Sequence, residues 1–91
     1  MTYFKLDTVI YSKKDSGTAV FRDDSTLGYI FVNTGNCSVW LNNYLLQPNS
    51  SLKTYEPMGC DKTVYRMNFN TFDACSTDNS ELTVIIYNKA V

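Results

Sequence analysis

Short runs of β-branched and aromatic residues recur along this chain of 91 residues, and clusters of turn-forming residues separate them. Apolar residues at helical spacing are hard to find, whereas alternation of apolar and polar residues is frequent. The pattern predicts eight strands, at residues 3–11, 18–22, 28–33, 37–41, 44–47, 51–55, 63–69 and 82–88. We therefore expect an all-β chain with a single domain, residues 1–91, folded as a small antiparallel β-sandwich of Ig-like or jelly-roll-like type with about 7–8 strands.

The dipeptide Asn42-Asn43 is the sharpest turn signal in the chain. It leaves two residues between the predicted strands 37–41 and 44–47. Asparagine accepts the left-handed backbone conformation that a type I′ turn requires at both central residues. The sequence therefore predicts a type I′ hairpin at this point.

Alternation assigns a core face and an outer face to the best-defined strands. The predicted core positions are Cys37, Val39, Leu41, Tyr65, Met67, Phe69, Leu82, Val84 and Ile86. The outer faces are less polar than a free-standing sandwich needs, since they carry or adjoin Trp40, Tyr55, Ile85, Tyr87, Val9 and Tyr11. We expect some of these residues to contact another chain, and the alternative is that loops or a sheet corner cover them.

Charge and hydropathy argue against two classes of partner. The net charge is -1, so no global positive field attracts nucleic acid or anionic lipid headgroups. Lys5 and Asp7 interrupt the apolar N-terminal stretch, which does not resemble a signal peptide, and no run approaches the length that crosses a bilayer. We expect a soluble chain, made in the cytoplasm, that binds neither nucleic acid nor membrane.

The chain contains no histidine, which removes the usual general base, zinc ligand and triad partner. Asp23 and Asp24 could pair with Asp73 or Asp78 for glycoside cleavage, but all four lie in turn-forming segments, and turn formation explains them better. No calcium loop or glycine-rich phosphate loop is present in the sequence. We expect a non-enzymatic protein with no catalytic residue, cofactor or metal.

The three cysteines, Cys37, Cys60 and Cys75, allow at most one disulfide within the chain. Reduced thiols are the simpler interpretation for a cytoplasmic protein. Cys37 is then expected to act as a small core residue.

The segment 28–52 combines three elements: a strand that ends in Asn33-x-Gly35, a hairpin, and the run Leu46-x-Pro48-Asn49 before another strand. This order resembles small β-sandwich modules of tailed bacteriophage virions, among them auxiliary capsid (decoration) proteins and head-fibre proteins. The chain departs from that pattern at Asn49, where glycine is usual, and at Asn43, where glycine would complete the hairpin. Asparagine tolerates the left-handed conformation at such positions.

The resemblance implies an auxiliary capsid protein that docks on a phage capsid and stabilises it. Its partner would be the major capsid protein or another virion protein, its location the virion, and a homo-oligomer is a further alternative. Large aromatic residues supply most of the binding energy at interface centres, so the predicted contact residues are Trp40, Tyr44, Tyr55 and Tyr87. For Trp40 the alternative is a tryptophan of the core or of the inter-sheet space.

Two other functions stay open at this point. A receptor- or glycan-binding module of head-fibre or tail type would use exposed aromatic rings and asparagine amides to bind sugars. An enzyme subunit or very small hydrolase is the third alternative, and no nucleophile motif supports it.

Overall fold

The computed structural model describes residues 3–55, 63–69 and 80–90, and for residues 3, 4, 55 and 90 it describes the backbone alone. Within these ranges the chain forms seven strands: β1 (Tyr3–Ser12), β2 (Thr26–Asn33), β3 (Val39–Leu41), β4 (Tyr44–Leu46), β5 (Ser51–Tyr55), β6 (Met67–Phe69) and β7 (Glu81–Ala90). A single 3-10 turn, Lys13–Asp15, follows β1, and the described residues contain no α-helix. The prediction of an all-β chain is confirmed.

The strands form two antiparallel sheets. The four-stranded sheet has the order β1-β7-β2-β5, and the three-stranded sheet has the order β4-β3-β6. β1 pairs with β7 over its whole length, from Tyr3 opposite Ala90 to Ser12 opposite Glu81. β2 and β7 are therefore the central strands of the larger sheet, and β3 is the central strand of the smaller one.

The core lies between the two sheets, as expected for a sandwich. Phe31 of β2 stacks on Tyr29 with ring centroids 5.3 Å apart, and Tyr65 contacts both rings at 5.1 and 5.3 Å. The predicted alternation is confirmed, since the buried side chains include Cys37, Val39, Leu41, Met67, Phe69, Leu82, Val84 and Ile86. Tyr65 is partly buried and packs against this core.

The predicted strand at 18–22 is wrong. Its only strand-type pairing in the structure is an isolated bridge between Ala19 and Arg66. Gly17 has φ +91°, so the backbone turns just before this segment. Three backbone hydrogen bonds then join the segment to residues 65–67: Gly17 N–H to the Met67 carbonyl at 2.8 Å, Met67 N–H to the Thr18 carbonyl at 3.1 Å, and Val20 N–H to the Tyr65 carbonyl at 2.7 Å. β6 begins at Met67 rather than at residue 63, where the predicted strand begins.

The hairpin at Asn42-Asn43 is confirmed, with Leu41 opposite Tyr44. Of the two turn residues, Asn42 has a positive φ, 54°, and Asn43 does not, so the predicted type I′ turn is wrong. The side chain of Asn42 explains its unusual backbone, because its Oδ1 accepts from the Arg66 N–H at 3.0 Å and its Nδ2 donates to the Val64 carbonyl at 3.2 Å. Asn49 has φ 65°, which confirms that asparagine takes the place of glycine there.

Cys37 is fully buried, as predicted for a core residue. It is also disulfide-bonded, so the expectation of a reduced thiol is wrong for this cysteine. Its partner lies outside the described residues. The Ser80 hydroxyl is 3.1 Å from the Cys37 sulfur and donates to it, since a disulfide sulfur has no proton to give.

Candidate interaction surfaces

Trp40 lies on the outer face of the three-stranded sheet. It is directly opposite Leu45 on β4 and Asn68 on β6, and it is 38% exposed. We call the surface formed by Trp40, Leu45 and Asn68 the Trp40 face. The alternative that Trp40 belongs to the core is therefore wrong.

Tyr44 does not share this surface. It pairs with the buried Leu41, so its position on β4 has the parity of the core-facing residues, opposite to that of Trp40. Tyr44 is nevertheless 50% exposed, because it is the first residue after the hairpin turn and stands at the end of the sheet. The two aromatic residues expected to act together lie on opposite faces of one sheet.

The outer face of the four-stranded sheet is organised in three rows of paired residues. The first row is Leu6, Tyr87, Gly28 and Tyr55; the second is Thr8, Ile85, Ile30 and Lys53; the third is Ile10, Thr83, Val32 and Ser51. We call the surface formed by Leu6, Ile10, Ile30, Val32, Ile85 and Tyr87 the Leu6 face. It is the more apolar of the two outer faces.

Exposure on the Leu6 face is greatest along β1. Leu6 is 57% exposed and Ile10 is 62% exposed, whereas Ile30, Val32, Ile85 and Tyr87 are half-buried among their neighbours. Leu6 and Ile10, each two residues from Thr8, extend the apolar surface formed by the residues in the middle of the sheet. Surfaces of this kind mark contact sites for other proteins.

Polar groups border the apolar residues of the Leu6 face. At one end the Thr34 hydroxyl lies 2.7 Å from the Glu81 carboxylate and 3.0 Å from the Thr83 hydroxyl. Ser51 and Lys53, both exposed, stand along β5. An apolar centre with a polar border has the composition of a protein–protein interface.

Tyr55 and Tyr87 are brought into one row of the Leu6 face, separated by Gly28. Gly28 has no side chain and is buried, so neighbouring groups cover its backbone. The four predicted contact residues therefore do not form one surface: Trp40 and Tyr44 belong to the smaller sheet, on opposite faces of it, and Tyr55 and Tyr87 belong to the larger sheet.

The expectation that Val9 and Tyr11 lie on or near an outer face is wrong. They pair with the buried Val84 and Leu82 of β7 and pack against the core. Conversely, Leu6 and Ile10 were missed as contact residues. Their alternation was visible in the sequence, but both faces of β1 contain apolar residues, so periodicity alone did not select the inner one.

Asp23 stabilises a turn, in line with the turn-forming role expected for it. Its Oδ1 accepts from the Ser25 hydroxyl at 2.6 Å and from the Ser25 N–H at 2.8 Å, and these bonds lower the pKa of the carboxyl. Among residues 3–55, 63–69 and 80–90, no three His, Cys, Asp or Glu side chains are grouped as metal ligands would be. No helix in the same ranges is long and apolar enough to cross a membrane.

Comparison of the chain with protein-family models, with curated proteins and with solved structures found no match.

Proposed function

We propose that this chain is a non-enzymatic auxiliary capsid protein that docks the Leu6 face on a shell protein of a phage virion and stabilises the shell. The proposal joins two arguments. The resemblance of segment 28–52 to small virion proteins supports a location on a phage particle. The exposed apolar surface of the larger sheet supplies the means of attachment.

The exposure of Leu6 and Ile10 is the observation that carries the proposal. Removing a residue of this type from water altogether contributes about 1.5–3 kcal/mol, so covering two that are more than half exposed contributes about 1–2 kcal/mol each. The half-buried Ile30, Ile85 and Tyr87 lie beside them and lose their remaining exposed area in the same contact. A ligand that binds only the assembled shell stabilises it by mass action.

The Cys37 disulfide fits this setting. Disulfides persist on virion surfaces and are rare in proteins that stay in the cytosol. A chain made in the host cytoplasm and then carried on the outside of a particle meets both environments. The oxidised core cysteine therefore supports a location on the exterior of a particle.

The first test is the copy number of the chain in purified particles from the source that encodes it, measured by quantitative mass spectrometry. A decoration protein is present in a fixed ratio to the major shell protein. Absence of the chain from the particles would remove the proposal.

A binding experiment then tests the surface. Purified chain is added back to particles that lack it, and the bound fraction is measured for the wild type, Ile10→Lys and Val64→Lys. Val64 is 55% exposed but lies outside the Leu6 face, so it matches Ile10 in exposure and apolar character. We expect Ile10→Lys to lose binding and Val64→Lys to keep it, whereas equal binding of both would place the contact elsewhere.

The Trp40 face favours a second candidate function, a glycan- or receptor-binding module. Trp40 is exposed and Asn68 is the residue directly opposite it, so an indole ring and an amide occur on the same face, which is the combination that sugar-binding sites use. A screen against host glycans tests it. Saturable binding that Trp40→Ala abolishes and Ile10→Lys leaves intact would favour this function over decoration.

A further inference from the structure

β1 is an edge strand of unusual length. The described edge strands of the two sheets are β1 with ten residues, β5 with five, and β4 and β6 with three each. A strand that pairs on one side only presents a row of unpaired N–H and C=O groups along its other side. Proteins commonly shorten such edges, as β4, β5 and β6 are shortened here.

β1 lacks the other features that protect an edge from pairing. It contains no proline, its register with β7 has no bulge, and Lys5 is its only basic residue. Lys5, Leu6 and Thr8 are exposed. The C-terminal end is occupied at Ser12, whose N–H donates to the Asp15 carboxylate at 2.8 Å. The N-terminal half of β1 is therefore the part open to a partner.

We propose that the N-terminal half of β1 pairs antiparallel with β1 of a second copy of this chain, with Leu6 at the twofold axis. The two four-stranded sheets then form one continuous sheet of eight strands. This inference goes beyond the proposed function and does not depend on it, because the dimer forms through the strand edge whatever the Leu6 face binds.

The charges of β1 select this register. In a sheet that continues across the dimer, outer-face residues of one β1 must lie opposite outer-face residues of the other. In the N-terminal half of β1, a twofold axis at Leu6, Asp7 or Thr8 meets this condition. An axis at Asp7 places the Asp7 carboxylates of the two copies opposite each other, where they repel. An axis at Thr8 places Lys5 of one copy opposite Tyr11 of the other, so Lys5 gains no opposite charge. An axis at Leu6 places Lys5 of each copy opposite Asp7 of the other, which gives two opposite-charge pairs.

Hydrogen bonds within the chain already hold the Asp7 side chain in position. The Asn88 amide donates to Asp7 Oδ2 at 2.7 Å, and Asn88 is itself held by the Thr26 hydroxyl, which donates to its Oδ1 at 3.0 Å. These bonds fix the carboxylate on β1 and leave Oδ1 to receive Lys5 of the second copy. On the outer side, the Leu6 side chains of the two copies lie side by side, so the two Leu6 faces form one continuous surface.

The first test is sedimentation equilibrium of the full chain over a range of concentrations. We expect the wild type to reach twice the chain mass of 10.4 kDa. Lys5→Glu and Asp7→Lys each replace two attractive pairs by two repulsive ones, so each should raise the dissociation constant about tenfold. An equimolar mixture of the two variants should recover wild-type affinity, because the new glutamate of one faces the new lysine of the other.

A cross-linking experiment tests the register without altering the charges. In the proposed dimer the two Leu6 positions are directly opposite, with Cα atoms about 5 Å apart, whereas the two Thr8 positions are offset by four residues, about 13 Å. Leu6→Cys should therefore form an intermolecular disulfide under mild oxidation and Thr8→Cys should not, since a disulfide spans at most about 7 Å between Cα atoms. The wild-type chain, treated in parallel, reports what the native cysteines contribute.

Circular dichroism of every variant shows whether it is folded before its mass is interpreted. A wild-type chain that stays monomeric at all concentrations would overturn the proposal. Equal cross-linking of Leu6→Cys and Thr8→Cys, or a mixture that binds no more tightly than its components, would overturn the register. Neither result bears on whether the chain is found in particles, so the two proposals fail separately.

Discussion

The side-chain amide of Asn33 donates a hydrogen bond to the carbonyl of Leu46 at 3.0 Å, and this bond joins the four-stranded sheet to the three-stranded sheet. The same amide nitrogen donates to the Cys37 carbonyl at 2.6 Å, and Asn33 Oδ1 accepts from the Gly35 N–H at 3.1 Å. Asn33 is buried, so one polar side chain satisfies three backbone groups where the chain crosses between sheets.

Replacing Asn33 by alanine should destabilise the fold by about 2–4 kcal/mol, because the Cys37 and Leu46 carbonyls lose a hydrogen bond near the core, whereas the Gly35 N–H keeps its bond to the Glu81 carbonyl. Urea unfolding followed by far-UV circular dichroism measures this difference. Asn36→Ala is the matched control, since Asn36 lies in the same loop and is exposed. A similar small change in both variants would show that Asn33 does not join the sheets.

Replacing Trp40 by alanine should cost only about 1–2 kcal/mol, because the residue lies on an outer face and is already 38% exposed. Phe31→Ala, which empties a fully buried position, should cost about 3–5 kcal/mol in the same unfolding experiment. An equal loss of unfolding free energy in the two variants would indicate that Trp40 is a core residue.

Asp23 should titrate below the usual value of 3.8, since hydrogen bonds from the Ser25 hydroxyl and N–H favour its ionised form and so lower its pKa. With the folded pKa below the unfolded one, the contribution to stability is complete above the unfolded pKa and is lost as pH falls through the folded pKa. NMR titration of the carboxyl measures the pKa, and Ser25→Ala should raise it toward 3.8. A wild-type pKa at or above 3.8 would contradict the hydrogen bonding described here.

Reduction of the Cys37 disulfide should lower the free energy of unfolding by about 2–4 kcal/mol, the range typical of a bridge that closes a loop of tens of residues. Thermal unfolding with and without reductant measures the effect. A non-reducing digest analysed by mass spectrometry should show Cys37 joined to the peptide of either Cys60 or Cys75, the other two cysteines in the sequence. Recovery of Cys37 as a free thiol from the untreated chain would contradict the bridge.

Local features of the fold follow from local sequence. The two-residue loop at Asn42-Asn43 and the positive φ of Asn49 depend on the preferences of single residues, and both were predictable. The hairpin register was implied too: a two-residue loop between Leu41 and Tyr44 already places Trp40 opposite Leu45. The same register places Trp40 and Tyr44 on opposite faces of the hairpin, so their separation follows from local sequence.

The sequence by itself determined the strand content, the hairpin and the alternation of β3, β6 and β7, because these arise from residues close together in the chain. Tertiary structure alone decided which face of β1 is buried, since both faces carry apolar residues and the choice depends on pairing with β7 at the other end of the sequence. A shift of one residue in that register would bury Leu6 and Ile10 and expose Val9 and Tyr11. The Leu6 face, the open edge of β1 and the burial of Asn33 all follow from this long-range pairing and sheet packing, which no local pattern encodes.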